Sequence, residues 1–184
     1  MNAPASGFAT SARIVHWLMA VLIVAMLFVG IGMVSTISHA REVLLAWHRP
    51  LGIAILLLVI VRLLIRLTHR PPPLPAHLPG WQRLAAHASH LLLYALMLAM
   101  PLVGWAMLSA GGFPILLGGG LRLFPIAPQS LPLYGLLRTL HTVLAFALFG
   151  TFLLHLAAAL MHALVYRDGV FRSMWRPSNR TGDE

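Results

Sequence analysis

Long apolar runs separated by short polar segments dominate this chain. Four of them reach the roughly 20 residues that a helix needs to cross a bilayer. They cover Ile14–Val34, Leu44–Leu67, Leu84–Ser109 and Leu136–Tyr166. Pro50 and Pro101 fall inside these runs, where neighbouring helices of a bundle can satisfy the backbone groups that a proline frees. The pattern predicts an all-α membrane protein, a four-transmembrane-helix bundle forming one domain over residues 1–184.

The segment between the third and fourth runs, from Ala110 to Gly135, has a different composition. It contains Gly118-Gly119-Gly120 and four prolines, residue types that favour turns. We expect this segment to fold over one end of the bundle as a cap.

Composition and charge support a membrane location and indicate an orientation. Of the 184 residues 59% are hydrophobic and 9% charged, whereas soluble domains carry about 25% charge. If both termini and the connector after the second run share one side, nine of the thirteen arginines lie there: Arg13, Arg62, Arg66, Arg70, Arg83, Arg167, Arg172, Arg176 and Arg180. The other side has Arg41, Arg49, Arg122 and Arg138. The positive-inside rule makes both termini cytoplasmic, and the net charge of +9 indicates topology and anionic partners rather than nucleic acid.

Four histidines lie on the apolar runs at matched depths. His16 and His48 are near the start of the first two runs, and His141 and His155 are fourteen residues apart on the last. Fourteen helical residues cover about 21 Å and return to within about 40° of the same face. Depth therefore pairs His48 with His141 near the outer side and His16 with His155 near the inner side. Imidazoles from two helices are what a b-type haem iron requires on its two faces.

One alternative is open for each of these histidines, because a lone His can simply hydrogen-bond a neighbouring helix. Four at matched depths favour two haem sites, since ionisable groups inside a membrane are costly and usually functional. The chain has no cysteine, which excludes thioether-linked haem, iron–sulfur clusters and zinc–thiolate sites. The expected cofactors are two noncovalently bound haem b groups.

Two arginines are candidates for binding haem propionates. Arg62 is fourteen residues beyond His48, which places it on the same face at the inner level, and Arg49 is its outer counterpart. Equally, Arg62 can extend toward lipid phosphates, and Arg49 can anchor its helix at the headgroups.

Two further histidines are candidates for a quinone site near the cytoplasmic interface. His162 is seven residues beyond His155 and so on nearly the same face, and His90 enters the third helix from that side. The alternative is that both are interfacial polar residues bonded to water or lipid.

Several motifs together resemble a known family. They are Arg13-Ile14-Val15-His16-Trp17, Trp47-His48-Arg49-Pro50-Leu51-Gly52, His90-Leu91-Leu92-Leu93-Tyr94 and Pro101-Leu102-Val103-Gly104-Trp105, with Arg167-Asp168-Gly169-Val170 after the fourth helix. From about Ala12 to Arg176 the chain resembles the bacterial di-haem cytochrome b561 proteins of the inner membrane. The resemblance implies a four-helix bundle with two b haems, whose ligand positions fall on His16, His48, His141 and His155.

Some members of this family are superoxide oxidases, which pass electrons from periplasmic superoxide to ubiquinone, and others are quinone-linked carriers. The resemblance thus favours transmembrane electron transfer from superoxide to ubiquinone, and a positive outer rim would attract a small anion. The alternative is a haem-bearing membrane anchor that links a partner dehydrogenase or cytochrome to the quinone pool. A zinc peptidase or metal transporter fits poorly, because the chain has no His-Glu-x-x-His and no carboxylate in the first, third or fourth run.

Overall fold

The computed structural model describes residues 8–69, 72–73, 78–117 and 120–175. The helices are α1 (Thr10–Ser35), α2 (His39–Thr68), α3 (Gly80–Ala110), α4 (Leu131–Leu160) and α5 (Val170–Trp175), and α4 continues as a π-helical segment, Met161–Tyr166. α1 to α4 are each long and apolar enough to cross a membrane. The prediction of four spans is therefore confirmed.

All four spanning helices begin four or five residues before the apolar runs, and serines cap two of them. The Ser38 side chain accepts a hydrogen bond from the backbone N–H of Ala40 at the start of α2, and Ser130 accepts from Leu133 at the start of α4. Such caps satisfy N–H groups that have no partner within the helix. The loop before α4 consequently ends at Ser130, and the predicted cap boundary at Gly135 is wrong.

The helices form two antiparallel hairpins that share one core. α1 packs along α2, α3 packs along α4, and α2 joins the hairpins by packing against α3. The core combines buried side chains from all four helices: Met19, Ile23, Ile55, Leu56, Val59, Leu96, Met97 and Leu148. Large apolar side chains such as Phe28, Val34 and Leu154 are exposed on the outside. Such an apolar surface suits the hydrocarbon core of a lipid bilayer, which cannot hydrogen-bond exposed polar groups.

We call the two ends of the bundle the terminal end and the loop end. The terminal end holds the start of α1, the end of α2 and α5. There the Trp17 indole donates to the backbone oxygen of Met174 at 2.9 Å and packs against Phe171 and Trp175. Both termini of the described chain thus lie at one end. Three arginines used in the charge argument, Arg70, Arg176 and Arg180, lie outside the described residues.

The loop end holds the segment between α3 and α4, described over residues 111–117 and 120–130. Trp105 of α3 donates to the backbone oxygen of Phe124 at 2.9 Å, and the Ser109 hydroxyl accepts from the Ile126 N–H at 3.1 Å. Ile115 is buried, and Leu116 and Arg122 form a short antiparallel bridge. The described part of the loop therefore lies on the end of α3, as the sequence predicted.

Candidate functional site

Two imidazole pairs face each other across helix boundaries, at different levels of the bundle. Near the loop end, the ring centroids of His48 (α2) and His141 (α4) are 6.2 Å apart, with the ring planes at 70°. Toward the terminal end, His16 (α1) and His155 (α4) are 6.4 Å apart, with the planes at 80°. The structure brings together the four histidines in the pairs that depth indicated.

These separations fit a metal held between two imidazoles. A histidine nitrogen lies about 2.0 Å from a first-row metal and about 1.1 Å from its own ring centroid, so two imidazoles on opposite sides of a metal have centroids about 6.2 Å apart. The two pairs, at 6.2 and 6.4 Å, lie close to this value. In addition, the Nδ1 atom of His48 is buried without a hydrogen-bond partner, which is uncommon for buried polar atoms. The residues present therefore fit a haem iron at each level.

Gly104 of α3 determines how closely that helix approaches His141. A Cβ atom added to Gly104 would lie 3.2 Å from Cε1 and 3.5 Å from Nδ1 of the His141 ring. Only glycine leaves the ring in unstrained contact at this point. Gly104 lies in the Pro101-Leu102-Val103-Gly104-Trp105 motif, which did not indicate His141 as its neighbour.

The two arginines chosen from the sequence contact protein groups and keep further N–H groups free. Arg62 donates from Nε to the Tyr94 hydroxyl at 3.0 Å, and its Nη1 is buried without a partner. Arg49 donates from Nη1 to the backbone oxygen of Pro114 at 3.5 Å, and its Nε is buried without a partner. Each guanidinium thus retains a buried donor for an acceptor such as a carboxylate. A cleft at the terminal end is lined by both Arg62 and Arg66.

The two histidines predicted for a quinone site have different neighbours. The His90 ring is in edge contact with His155, with centroids 5.4 Å apart, so it lies against the inner imidazole pair. His162 instead places Nδ1 2.6 Å from the Asp168 carboxylate and contacts the Tyr166 ring. Both histidines lie toward the terminal end, but they contact different residues.

Sequence reasoning missed two residues that make these contacts, Tyr94 and Asp168. Side chains six residues apart on a regular α-helix point about 120° away from each other, so spacing does not suggest a contact from His162 to Asp168. The contact forms because the helix is π-helical from Met161 and the backbone turns left-handed at Arg167, with φ 50°. The scarcity of acids could have indicated Asp168. The chain has only four acidic residues, and Asp168 comes just after the run that contains His141, His155 and His162.

A membrane bundle with imidazoles facing each other across its helices is the architecture of membrane-bound b-type cytochromes. The family model of prokaryotic cytochrome b561 matches residues 7–177, and the chain belongs to this family. The family binds b-type haem and consists of membrane oxidoreductases that transfer electrons.

Curated relatives agree with this membership. "Cytochrome b561 homolog 2" of Escherichia coli (strain K12) is 30% identical over 167 residues, 86% of each chain. "Probable superoxide oxidase CybB" of Yersinia pestis is 31% identical over 166 residues, 87% of this chain and 90% of the relative. "Cytochrome b561 homolog 1" of Escherichia coli (strain K12) is 30% identical over 131 residues, 69% of this chain and 72% of the relative. The protein is thus a bacterial membrane protein of electron transfer.

Proposed function

We propose that the whole chain, residues 1–184, works as one di-haem domain that transfers electrons across the bacterial inner membrane. Superoxide is the proposed donor, at the loop end, and ubiquinone is the proposed acceptor, near the terminal end. The observation that carries the proposal is the presence of two imidazole pairs, 6.2 and 6.4 Å between centroids, at levels about 21 Å apart along α4.

In this proposal the chain's own residues hold and orient two haem b groups. His48 with His141 would hold one haem, and His16 with His155 would hold the other. When bound between two imidazoles, haem supplies a one-electron couple with no open coordination position, so substrates exchange electrons without binding to iron. Arg49 and Arg62 each offer a buried N–H group to a propionate at the outer and inner level.

Charge at the loop end supports a small anion as donor. Arg41, Arg49, Arg122 and Arg138 belong to this end, where the one acid is Glu42, hydrogen-bonded to His39. A positive rim of this kind raises the encounter rate of anions. Two superoxide ions would each lose one electron to become dioxygen, and one ubiquinone would take two electrons and two protons to become ubiquinol. The name of the Yersinia pestis relative points to the same donor.

The arginine asymmetry supports an orientation in which the terminal end is cytoplasmic and the loop end periplasmic. In that orientation superoxide meets the loop end, and the quinone headgroup binds near the cytoplasmic interface. His162 and His90 are the proposed polar partners of this headgroup, because both lie toward the terminal end and His90 contacts the inner imidazole pair.

The test combines haem stoichiometry with turnover of the purified full-length chain. We expect two haem b per chain, one in His48→Ala or His16→Ala, and two in the matched control His87→Ala, whose exposed ring bonds only the Arg83 backbone oxygen. Superoxide and ubiquinone-1 supplied together should give ubiquinol faster than the uncatalysed reaction. Quinol formation at the background rate would remove the superoxide assignment. Fewer than two haems in the unmodified chain would remove the di-haem assignment.

A second candidate, the haem-bearing anchor, is favoured by one observation on the loop. Phe113, Leu116, Leu121 and Phe124 are each about half or more exposed there. Exposed apolar residues grouped in a surface segment are typical of a protein docking surface. A redox subunit that co-purifies in equal amount, and is lost on Leu116→Ser with Leu121→Ser, would favour this candidate. Quinol formation from superoxide by the chain alone would favour the first.

A further inference from the structure

His162 and Asp168 form a buried imidazole–carboxylate pair at the terminal end. Nδ1 and Oδ2 are 2.6 Å apart, and the side chains are 18% and 4% exposed. The other such pair in the described residues, His39 with Glu42, is 3.2 Å long with both side chains at least 80% exposed. An exposed pair adds little stability, whereas a buried carboxylate is costly unless it is fully bonded. The contact to His162 is thus a specific feature of this end of the bundle.

The backbone is shaped to make this contact. α4 becomes π-helical at Met161, a feature frequent at functional sites, and the segment carries His162. Arg167 and Gly169 then adopt positive φ, which turns the chain and brings Asp168 back toward the helix. The second carboxylate oxygen, Oδ1, accepts from the Val170 N–H at 3.1 Å. Both oxygens of Asp168 are therefore engaged, one by α5 and one by His162.

α5 links this pair to the inner imidazole level. It begins at Val170 beside Asp168, and its Phe171, Met174 and Trp175 contact Trp17, the neighbour of His16 in sequence. A group that binds at His162 therefore lies at the same end of the bundle as the His16/His155 pair.

The hydrogen bond determines which nitrogen of His162 can exchange a proton. A carboxylate only accepts, so Nδ1 carries the hydrogen that is bonded to Asp168, and Nε2 is left for other partners. Imidazoles oriented in this way by a carboxylate are a common arrangement for proton transfer.

We propose that Asp168 is a positioning residue that holds His162 for proton delivery to the quinone. The inference rests on the proposed function, which places the quinone headgroup at His162. His162 takes a proton from water at Nε2; the Nε2–H bond then breaks as an O–H bond forms at a quinone oxygen. The two electrons that complete the reduction to quinol come from the donor of the proposed function. Each quinol formed uses two such protons.

Asp168 also caps α5, so the test must separate the cap from the imidazole contact. Asp168→Asn and Asp168→Ser both keep a side-chain oxygen that can accept from Val170, because Asn and Ser are good caps. Neither offers a carboxylate to His162. The matched control is Glu42→Gln, which breaks the exposed pair at the other end of the bundle.

The experiment follows haem reoxidation after the reduced full-length protein is mixed with ubiquinone-1, in H₂O and in D₂O. We expect Asp168→Asn and Asp168→Ser to slow reoxidation about 10- to 100-fold with a larger solvent isotope effect. Glu42→Gln should behave as the unmodified chain. In protein that already carries His162→Gln, Asp168→Asn should not slow reoxidation further, since the two residues act as a unit.

Other results overturn the inference. Unchanged reoxidation in both Asp168 variants, or full additivity with His162→Gln, excludes Asp168 from proton delivery while the proposed function stands. Slowing without a change in the isotope effect means that Asp168 only caps α5. If ubiquinone-1 does not reoxidise the unmodified chain, the proposed function fails and this inference fails with it.

Discussion

Gly104 provides a direct probe of the outer imidazole pair. A Cβ at this position would lie 3.2 Å from Cε1 of His141, and carbon atoms in ordinary contact are about 3.5–4.0 Å apart. In Gly104→Ala the ring would therefore have to move by about 0.3 Å or slightly more. Metal–ligand distances tolerate about 0.2 Å. The displacement thus exceeds what a ligand can absorb while the His48–His141 separation of 6.2 Å is kept.

We expect Gly104→Ala to weaken haem binding at the outer pair about 10- to 100-fold, the range seen when the support of a ligand is disturbed. Gly104→Val, with two more carbons, should lose the outer haem and keep the inner one. The assay is haem per chain after extensive dilution, together with the reduced-minus-oxidised spectrum. Gly150→Ala is the matched control, because its Cβ would have no neighbour within 4 Å, and it gains a similar helix propensity of about 1 kcal/mol.

Two haems per chain and an unshifted spectrum in Gly104→Val would refute this reasoning. That result would mean that His141 does not bind haem in the position that it has against α3. Equal loss in Gly150→Ala would also refute it, since the cause would then be the added methyl group rather than its contact with His141.

Three further predictions concern the same sites. Arg62→Leu should lower retention of the inner haem and Arg66→Leu should not; equal haem content in both would contradict the propionate role of Arg62. The ring planes of the two pairs are nearly perpendicular, at 70° and 80°, so electron paramagnetic resonance of the oxidised protein should show low-spin signals of large g anisotropy. Signals typical of parallel imidazoles would contradict that geometry. Finally, the rate with superoxide should fall as salt is raised toward 0.1 M, where charges are screened beyond about 10 Å, and a salt-independent rate would exclude steering by the arginines.

The membrane spans and the histidine pairing followed from the sequence because helical geometry converts residue spacing into depth and face. The fourteen residues between His141 and His155 set two levels on α4, and His48 and His16 had to lie near them. This reasoning works within one helix and requires only that the helices span the same layer.

Contacts that depend on how one helix is rotated against another could not be derived in this way. The approach of Gly104 to His141 and the Arg62–Tyr94 hydrogen bond both join residues of different helices. The contact from His162 to Asp168 depends on a π-helical segment and a left-handed turn, and neither has a periodic signature in the sequence.

Among the residues that the structure describes, an apolar layer separates the two imidazole levels and leaves no polar path for protons between them. Leu148 lies midway between His141 and His155 on α4, and Met19, Val59 and other apolar side chains surround it. Thr151, the polar side chain nearest to Leu148 on α4, donates its hydroxyl hydrogen to the Ala147 backbone oxygen. Electrons can tunnel across such a layer, but protons need a chain of donors and acceptors to cross it. Protons for a quinone at the terminal end must therefore enter from that end, where a buried carboxylate bonded to an imidazole is suitably placed to pass them on.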